Sequence, residues 1–178
     1  MKKTFRIRFL NLIFLSSITI CLWGCGIYSF TGASIPPGTS TFQVNFFENQ
    51  AGNRPGSTVE PGLDQDFTIA LQDIINNQST LDLVSRNGDL IYEGEIVEYS
   101  ISPMSATAQI TAAQNRLTMR VNFRYINTKN EEDDFERSYN FYYDYPAELQ
   151  LFDVKDEAHE AIFERITQDI FNDTLAKW

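Results

Sequence analysis

Leu117-Thr118-Met119-Arg120-Val121-Asn122-Phe123-Arg124-Tyr125 alternates without a break, apolar at odd positions and polar at even ones. A period of two is the signature of a strand with one face buried and one face wet. A second run follows, Phe135-Glu136-Arg137-Ser138-Tyr139-Asn140-Phe141-Tyr142-Tyr143-Asp144-Tyr145, with Phe135, Tyr139, Phe141, Tyr143 and Tyr145 on one face. The link Thr128–Asp134 is polar. The two runs therefore predict an antiparallel hairpin with a core side and a solvent side.

Upstream, Leu90–Ile101 reads as another strand whose apolar parity slips around Gly94, which predicts a bulge or a close backbone approach. Between it and the hairpin, Ser102–Arg116 is polar and rich in small residues, and reads as a mobile loop. Leu81–Val84 is a short strand, and Arg86-Asn87-Gly88-Asp89 after it predicts a hairpin turn. Asp64–Asn77 is a helix, with Leu63, Phe67, Ala70, Leu71, Ile74 and Ile75 in one stripe and Asp64 as N-cap. Asn49–Gly62 reads as a loop, and Thr41–Phe47 as a strand with Phe42, Val44 and Phe46 on one face. Downstream, Val154–Ala176 is a closing helix with Val154, Ala158, Ile162, Phe163, Ile166, Ile170 and Phe171 on its apolar side.

The order β-α-β-β-β-β-α predicts an α+β fold over residues 41–178. An antiparallel-rich mixed sheet of four or five strands is covered by two helices.

The first residues follow different rules. Lys2, Lys3, Arg6 and Arg8 precede an apolar run from Phe9 to Trp23, which is short for a bilayer span and shaped like an export signal. It ends in Leu22-Trp23-Gly24-Cys25, which resembles a bacterial lipoprotein signal. That resemblance implies cleavage after Gly24 and acylation of Cys25. Residues 1–24 are then a cleaved signal, and 25–40, with Gly26, Gly32, Pro36, Pro37 and Gly38, a lipid-anchored tether.

The 178 residues carry 14 basic and 24 acidic side chains, a net −10. Loss of residues 1–24 takes away four basic residues and no acidic one, so 10 basic face 24 acidic residues over the remaining 154, a net −14. Such a balance excludes a nucleic-acid partner, which requires a basic face. The chain has two cysteines, Cys21 and Cys25, so the mature part holds no disulfide framework.

Catalytic signals are absent. The single histidine, His159, falls in the exposed phase of the closing helix beside Glu157 and Glu160. Glu93 and Glu95 share a strand face and read as a solvated side rather than an acid/base pair. Glu131, Glu132, Asp133 and Asp134 read as a solvated turn, without the spacing of a calcium loop. No metal spacing and no cofactor loop is present.

Two surfaces stand out instead. Arg116, Arg120 and Arg124 recur every fourth residue on the polar phase of one strand. They would suit a phosphate-bearing glycolipid or an acidic partner, or else cross-strand pairing with Glu93, Glu95 or Glu136. Tyr142 lies opposite the core side of the tyrosine-rich strand, as in a partner interface.

Cys25-Gly26-Ile27-Tyr28-Ser29-Phe30-Thr31-Gly32-Ala33-Ser34-Ile35 resembles the start of mature lipopolysaccharide-assembly lipoproteins of the LptE type, in their shorter form outside the enterobacteria. Leu90–Pro103, Asn115-Arg116-Leu117-Thr118 and Asp169-Ile170-Phe171-Asn172 are similar to the same group. The resemblance implies two helices on a sheet of four or more strands. It also implies an outer-membrane lipoprotein of the periplasmic leaflet that plugs a large β-barrel translocon (LptD-like), helps it assemble and assists lipopolysaccharide insertion, with no reaction of its own. Only Cys25 carries over as a site residue; lipopolysaccharide contact falls to Arg116, Arg120 and Arg124 as the one cationic surface. The alternative is a surface-exposed binding module for glycans or host ligands, built on the tyrosine-rich strand and Trp178.

Overall fold

The computed structural model describes residues 33–104 and 113–176. The signal, Cys25, most of the tether, the centre of the Ser102–Arg116 loop and Trp178 lie outside them. The elements run β1 (Thr41–Val44), β2 (Glu48–Asn49), α1 (Leu63–Gln78), β3 (Asp82–Leu83), β4 (Leu90–Met104), β5 (Gln114–Asn127), β6 (Phe135–Pro146) and α2 (Leu151–Leu175). The six strands form one mixed sheet. β3-β1-β4-β5-β6 are neighbours in that order, and β2 joins β4 farther along the same edge as β1. β4-β5-β6 is an antiparallel meander, while β1 and β2 pair with β4 in parallel.

The alternating runs form the strands expected of them. Leu117, Met119, Val121, Phe123 and Tyr125 are all buried, and Tyr139 and Tyr145 join them from β6. Their common face is covered by both helices. α1 buries Leu63, Phe67, Leu71 and Ile75, and α2 buries Ala158, Ile162, Ile166 and Ile170. Each large side chain so removed from water contributes about 1.5–3 kcal/mol. The helices meet where Phe67 packs edge-on against Phe163, with ring centroids 5.6 Å apart.

Several expectations are corrected. The polar stretch Ser102–Arg116 is not loop throughout. Its two ends continue the β4–β5 ladder through Ser102↔Arg116, Pro103↔Asn115 and Met104↔Gln114, because a regular antiparallel register extends as long as both backbones stay extended. The parity slip in β4 has two sources. The bulge sits at Val97, where the register shifts between Ile96 and Glu98 and moves the core phase from Ile96 to Tyr99. Gly94 is the close approach: a Cβ there would lie 2.2 Å from the Asn122 carbonyl oxygen and 2.7 Å from the Phe47 ring.

The predicted strand Thr41–Phe47 ends at Val44. Phe46 turns out to solvent and Phe47 enters the core, since the chain shifts phase before β2 pairs with β4. Asn49–Gly62 is not purely loop. It holds the end of β2, a 3-10 turn at Ala51–Asn53 and a bridge from Ser57 to Ser100.

Asn87-Gly88 does not close a hairpin. β3 and β4 flank β1 and run parallel to it, and β3 is short enough for the chain to cross β1 and start again. The turn still needs its residues. Asn87 has φ of +54°, and Gly88 lies so close to β1 that a Cβ would meet Gln43 at 2.7 Å. Asp64 is not the N-cap of α1. That helix starts one residue earlier at buried Leu63, behind Gly62 in the left-handed region, and places Asp64 and Asp66 in the first turn, where they favour the helix dipole.

Candidate interaction surface

Because both helices lie on one side, the other side of β4-β5-β6 is an open polar face. The three arginines run along it, and each has a carboxylate. Arg116 donates two hydrogen bonds to Asp144, from Nε to Oδ1 and from a terminal nitrogen to Oδ2, both 2.7 Å. Arg120 pairs with Glu98 at 3.2 Å. Arg124 reaches Glu93 at 3.5 Å and Glu136 at 3.4 Å. Cross-strand register explains the partners, since Arg116 stands opposite Asp144, Arg120 opposite Glu98, and Arg124 between Glu93 and Glu136. The stripe is thus a ladder of ion pairs with little free positive charge.

The ladder is graded. Glu98, with its side chain only 14% exposed, lies between Arg120 and Arg54, the latter at 3.5 Å. Arg116 is held so firmly by Asp144 that its proton is bound more tightly than usual. Arg124 is the loosest, half exposed and shared between two carboxylates.

Tyr142 is 45% exposed and lies under the Arg116 guanidinium, whose central carbon is 3.5 Å from the ring centroid. Phe141 stacks against Tyr142 at 5.7 Å, and Arg165 approaches Phe141 from α2 at 5.8 Å. A cation–aromatic stack therefore wraps the flank of β6.

Glu93 and Glu95 line a shallow groove of about 600 Å³ on the same face, with Phe46, Glu48, Arg124 and Glu136. Asn45 donates to Glu93 at 3.0 Å and Asn122 to Glu95 at 3.2 Å, so both carboxylates are held in polar pairs. At the β5–β6 turn, Asp134 accepts from the Asn127 amide at 2.8 Å and Asp133 from the Asn127 side chain at 2.8 Å. Those acids order the turn rather than merely solvate it.

His159 is not the exposed helix residue expected. It is half-buried, its Nε2 lies within hydrogen-bond distance of the Tyr99 hydroxyl at 2.9 Å, and its ring stacks on Phe163 at 5.3 Å. Burial pushes the Tyr99 phenol upward, so the phenol keeps its proton. The helical phase alone hid this, because the bulge at Val97 is what turns Tyr99 to the helix side.

The stretch read as tether is bound to the fold at its end. Ala33 and Ile35 pack on the core, and the Ser34 amide donates to the Leu175 carbonyl at the end of α2. Asp89 then accepts from the amides of Ser40 and Thr41 at 2.9 and 3.2 Å, and pairs with Lys129 at 2.8 Å.

Residues 39–174 match the model of the family LptE, described as lipopolysaccharide-assembly. The chain belongs to the LptE family. This LptE-family chain shares its fold with the hypothetical protein CT253 from Chlamydia trachomatis. The TM-score is 0.52 at 10% identity, over 79% of this chain and all of that one. It is also similar to protein XCC0632 from Xanthomonas campestris, with a TM-score of 0.51 at 9% identity, over 78% of this chain and 87% of that one. At such identities these likenesses concern the fold alone. No curated protein matches the chain.

Proposed function

We propose that this LptE-family chain is a non-enzymatic outer-membrane lipoprotein, anchored through Cys25. In this reading it plugs a large β-barrel lipopolysaccharide translocon and helps the barrel assemble. The observation that carries the reading is the family match, which spans both helices and every strand from residue 39 onward. The open face of the sheet supports it physically. Barrel lumens are polar and wet, and a plug needs a polar skin rather than an apolar one. The ladder of Arg116, Arg120 and Arg124 with their carboxylates is such a skin. Lipopolysaccharide contact falls to Arg124, the most exposed arginine of the ladder.

The test is co-purification. The full-length protein, tagged at its C-terminus and extracted from outer membranes in mild detergent, should bring down a large barrel protein in equal amount. Its depletion should leave that barrel misassembled. Recovery of the lipoprotein alone, together with its removal from intact cells by external protease, would instead support the surface-exposed binding module.

A further inference from the structure

The two faces of the domain carry charge differently. On the open sheet face, arginines and carboxylates pair with one another. The two helices hold ten acidic residues and only two basic ones. Both basic residues are already committed, Lys155 to Glu60 at 3.0 Å and Arg165 to Asp169 at 3.1 Å.

The uncompensated charge converges on one place. An outward groove of about 340 Å³ lies between α1 and α2, with Asp66 and Asp73 on one wall and Asp156 and Glu160 on the other. All four are exposed, and among the described residues no ion pair or hydrogen bond engages their carboxylates. Helical rise sets Asp73 about 10 Å beyond Asp66, and Glu160 about 6 Å beyond Asp156. The floor is apolar, made by Ala70, Phe163 and Ile69, the last of them 44% exposed.

Such a groove burdens the free protein twice. Like charges one turn apart disfavour α2, and exposed Ile69 forgoes burial. The acidic walls repel a lipid phosphate. They do not suit a metal ion either, since no three acidic or histidine groups among the described residues gather closely enough to hold one. A cation that brings its own apolar stem fits both walls and floor. Lysine and arginine lay their methylenes along apolar surface while the charged head reaches beyond it.

We infer that this groove receives a lysine- or arginine-bearing segment of the barrel partner, with stems over Ile69 and Phe163 and charged heads on the four carboxylates. The inference rests on the barrel reading and adds which face of this chain meets the wall. Side chains of barrel strands alternate between lipid and lumen, so a lumen wall presents such residues without giving up any strand pairing. A second copy of this chain is a poor occupant, because it would set one acidic helix layer against another.

Titration of the full-length protein with the co-purified barrel in mild detergent tests it. The affinity of the unaltered protein should fall as salt rises, since the contacts are between charges near the surface. Combining Asp66→Asn, Asp73→Asn, Asp156→Asn and Glu160→Gln should weaken the complex at least about tenfold and flatten its salt dependence. The same variant alone should keep or raise its thermal midpoint, because the repulsion along α2 is gone. Asp82→Asn, Glu131→Gln, Glu132→Gln and Glu148→Gln together remove as much charge from exposed sites away from the groove, and should leave affinity within about twofold. Equal losses in the two variants would assign the effect to net charge and overturn the groove. Affinity of the unaltered protein that ignores salt overturns it without recourse to any variant. Undiminished binding by the groove variant overturns it too, and in both cases the barrel reading stands. Absence of any barrel overturns both. A concentration-dependent dimer that the groove substitutions abolish overturns the basic segment in favour of a second copy.

Discussion

The Tyr99 hydroxyl lies 2.9 Å from Nε2 of His159, so one strand and one helix are joined through the only histidine of the chain. Burial holds His159 below its ordinary value, outweighing the opposing influence of Glu60. The unfolded chain therefore binds the proton more readily, and stability follows pH. It is complete above the unfolded value of 6.5 and is lost as pH falls through the lower folded value. The thermal midpoint should fall between about pH 7 and pH 5, and His159→Gln should fall less over the same range, since its amide can pair with Tyr99 without titrating. Equal slopes for the two proteins would remove His159 from the account.

Gly94 stands where β4, β5 and Phe47 crowd together. A methyl group there meets backbone of Asn122 at 2.2 Å, which cannot rotate away, as well as the buried Phe47 ring at 2.7 Å. Gly94→Ala should cost about 1–3 kcal/mol or more by overpacking. A shift of the urea midpoint reads it, and an unchanged midpoint would mean the sheet yields at this point.

These two sites show what was legible in the sequence and what was not. The strands β5 and β6 and both helices follow from periods of two and 3.6, because each buries one continuous face. Gly94 was marked by the missing side chain alone. Elements that depend on pairing at a distance were hidden. Nothing local in Glu48–Asn49 says that two residues will join β4, and nothing in Asn87-Gly88 says that β1 will separate the strands on either side. The bulge at Val97 decides the surroundings of His159 from sixty residues away. For the candidate surface, the arginine spacing gave the shared face and Glu93, Glu95 and Glu136 as partners of the stripe; the register gives Glu93 and Glu136 to Arg124 and Glu95 to Asn122 instead. Asp144 and Glu98 required the register itself.

Asp89 ties three pieces of chain together. Its Oδ2 accepts from Ser40 and Thr41, backbone and side chain alike, and its Oδ1 meets Lys129 beyond the end of β5. The Lys129 ammonium and then the Ser40 amide hold its carboxyl well below the usual carboxylate range. Asp89→Ala should lower the thermal midpoint and speed amide exchange at Ser40 and Thr41. Lys129→Ala, which leaves the Oδ2 cluster in place, should do less. Similar effects from both would show that the ion pair, rather than the cluster, holds the start of β1.

Arg116 and Arg124 share a face, but the structure assigns them different weights. Arg116 is bidentate to Asp144, stacked on Tyr142 and about a quarter exposed. Arg116→Lys loses the planar fork and the stack and should cost about 1 kcal/mol in urea unfolding. Arg124 is half exposed, with longer contacts to two carboxylates, and exposed pairs of that kind contribute close to nothing. Arg124→Ala should therefore leave unfolding unchanged within about 0.5 kcal/mol. That stability makes it a clean probe of the proposed contact. If Arg124 turns from Glu93 and Glu136 to a lipid phosphate, the variant should bind lipopolysaccharide micelles more weakly, and Arg124→Lys should recover part of the loss. Undiminished binding by a folded Arg124→Ala would assign the arginine ladder to holding the sheet face together, and leave the lipid to another part of the complex.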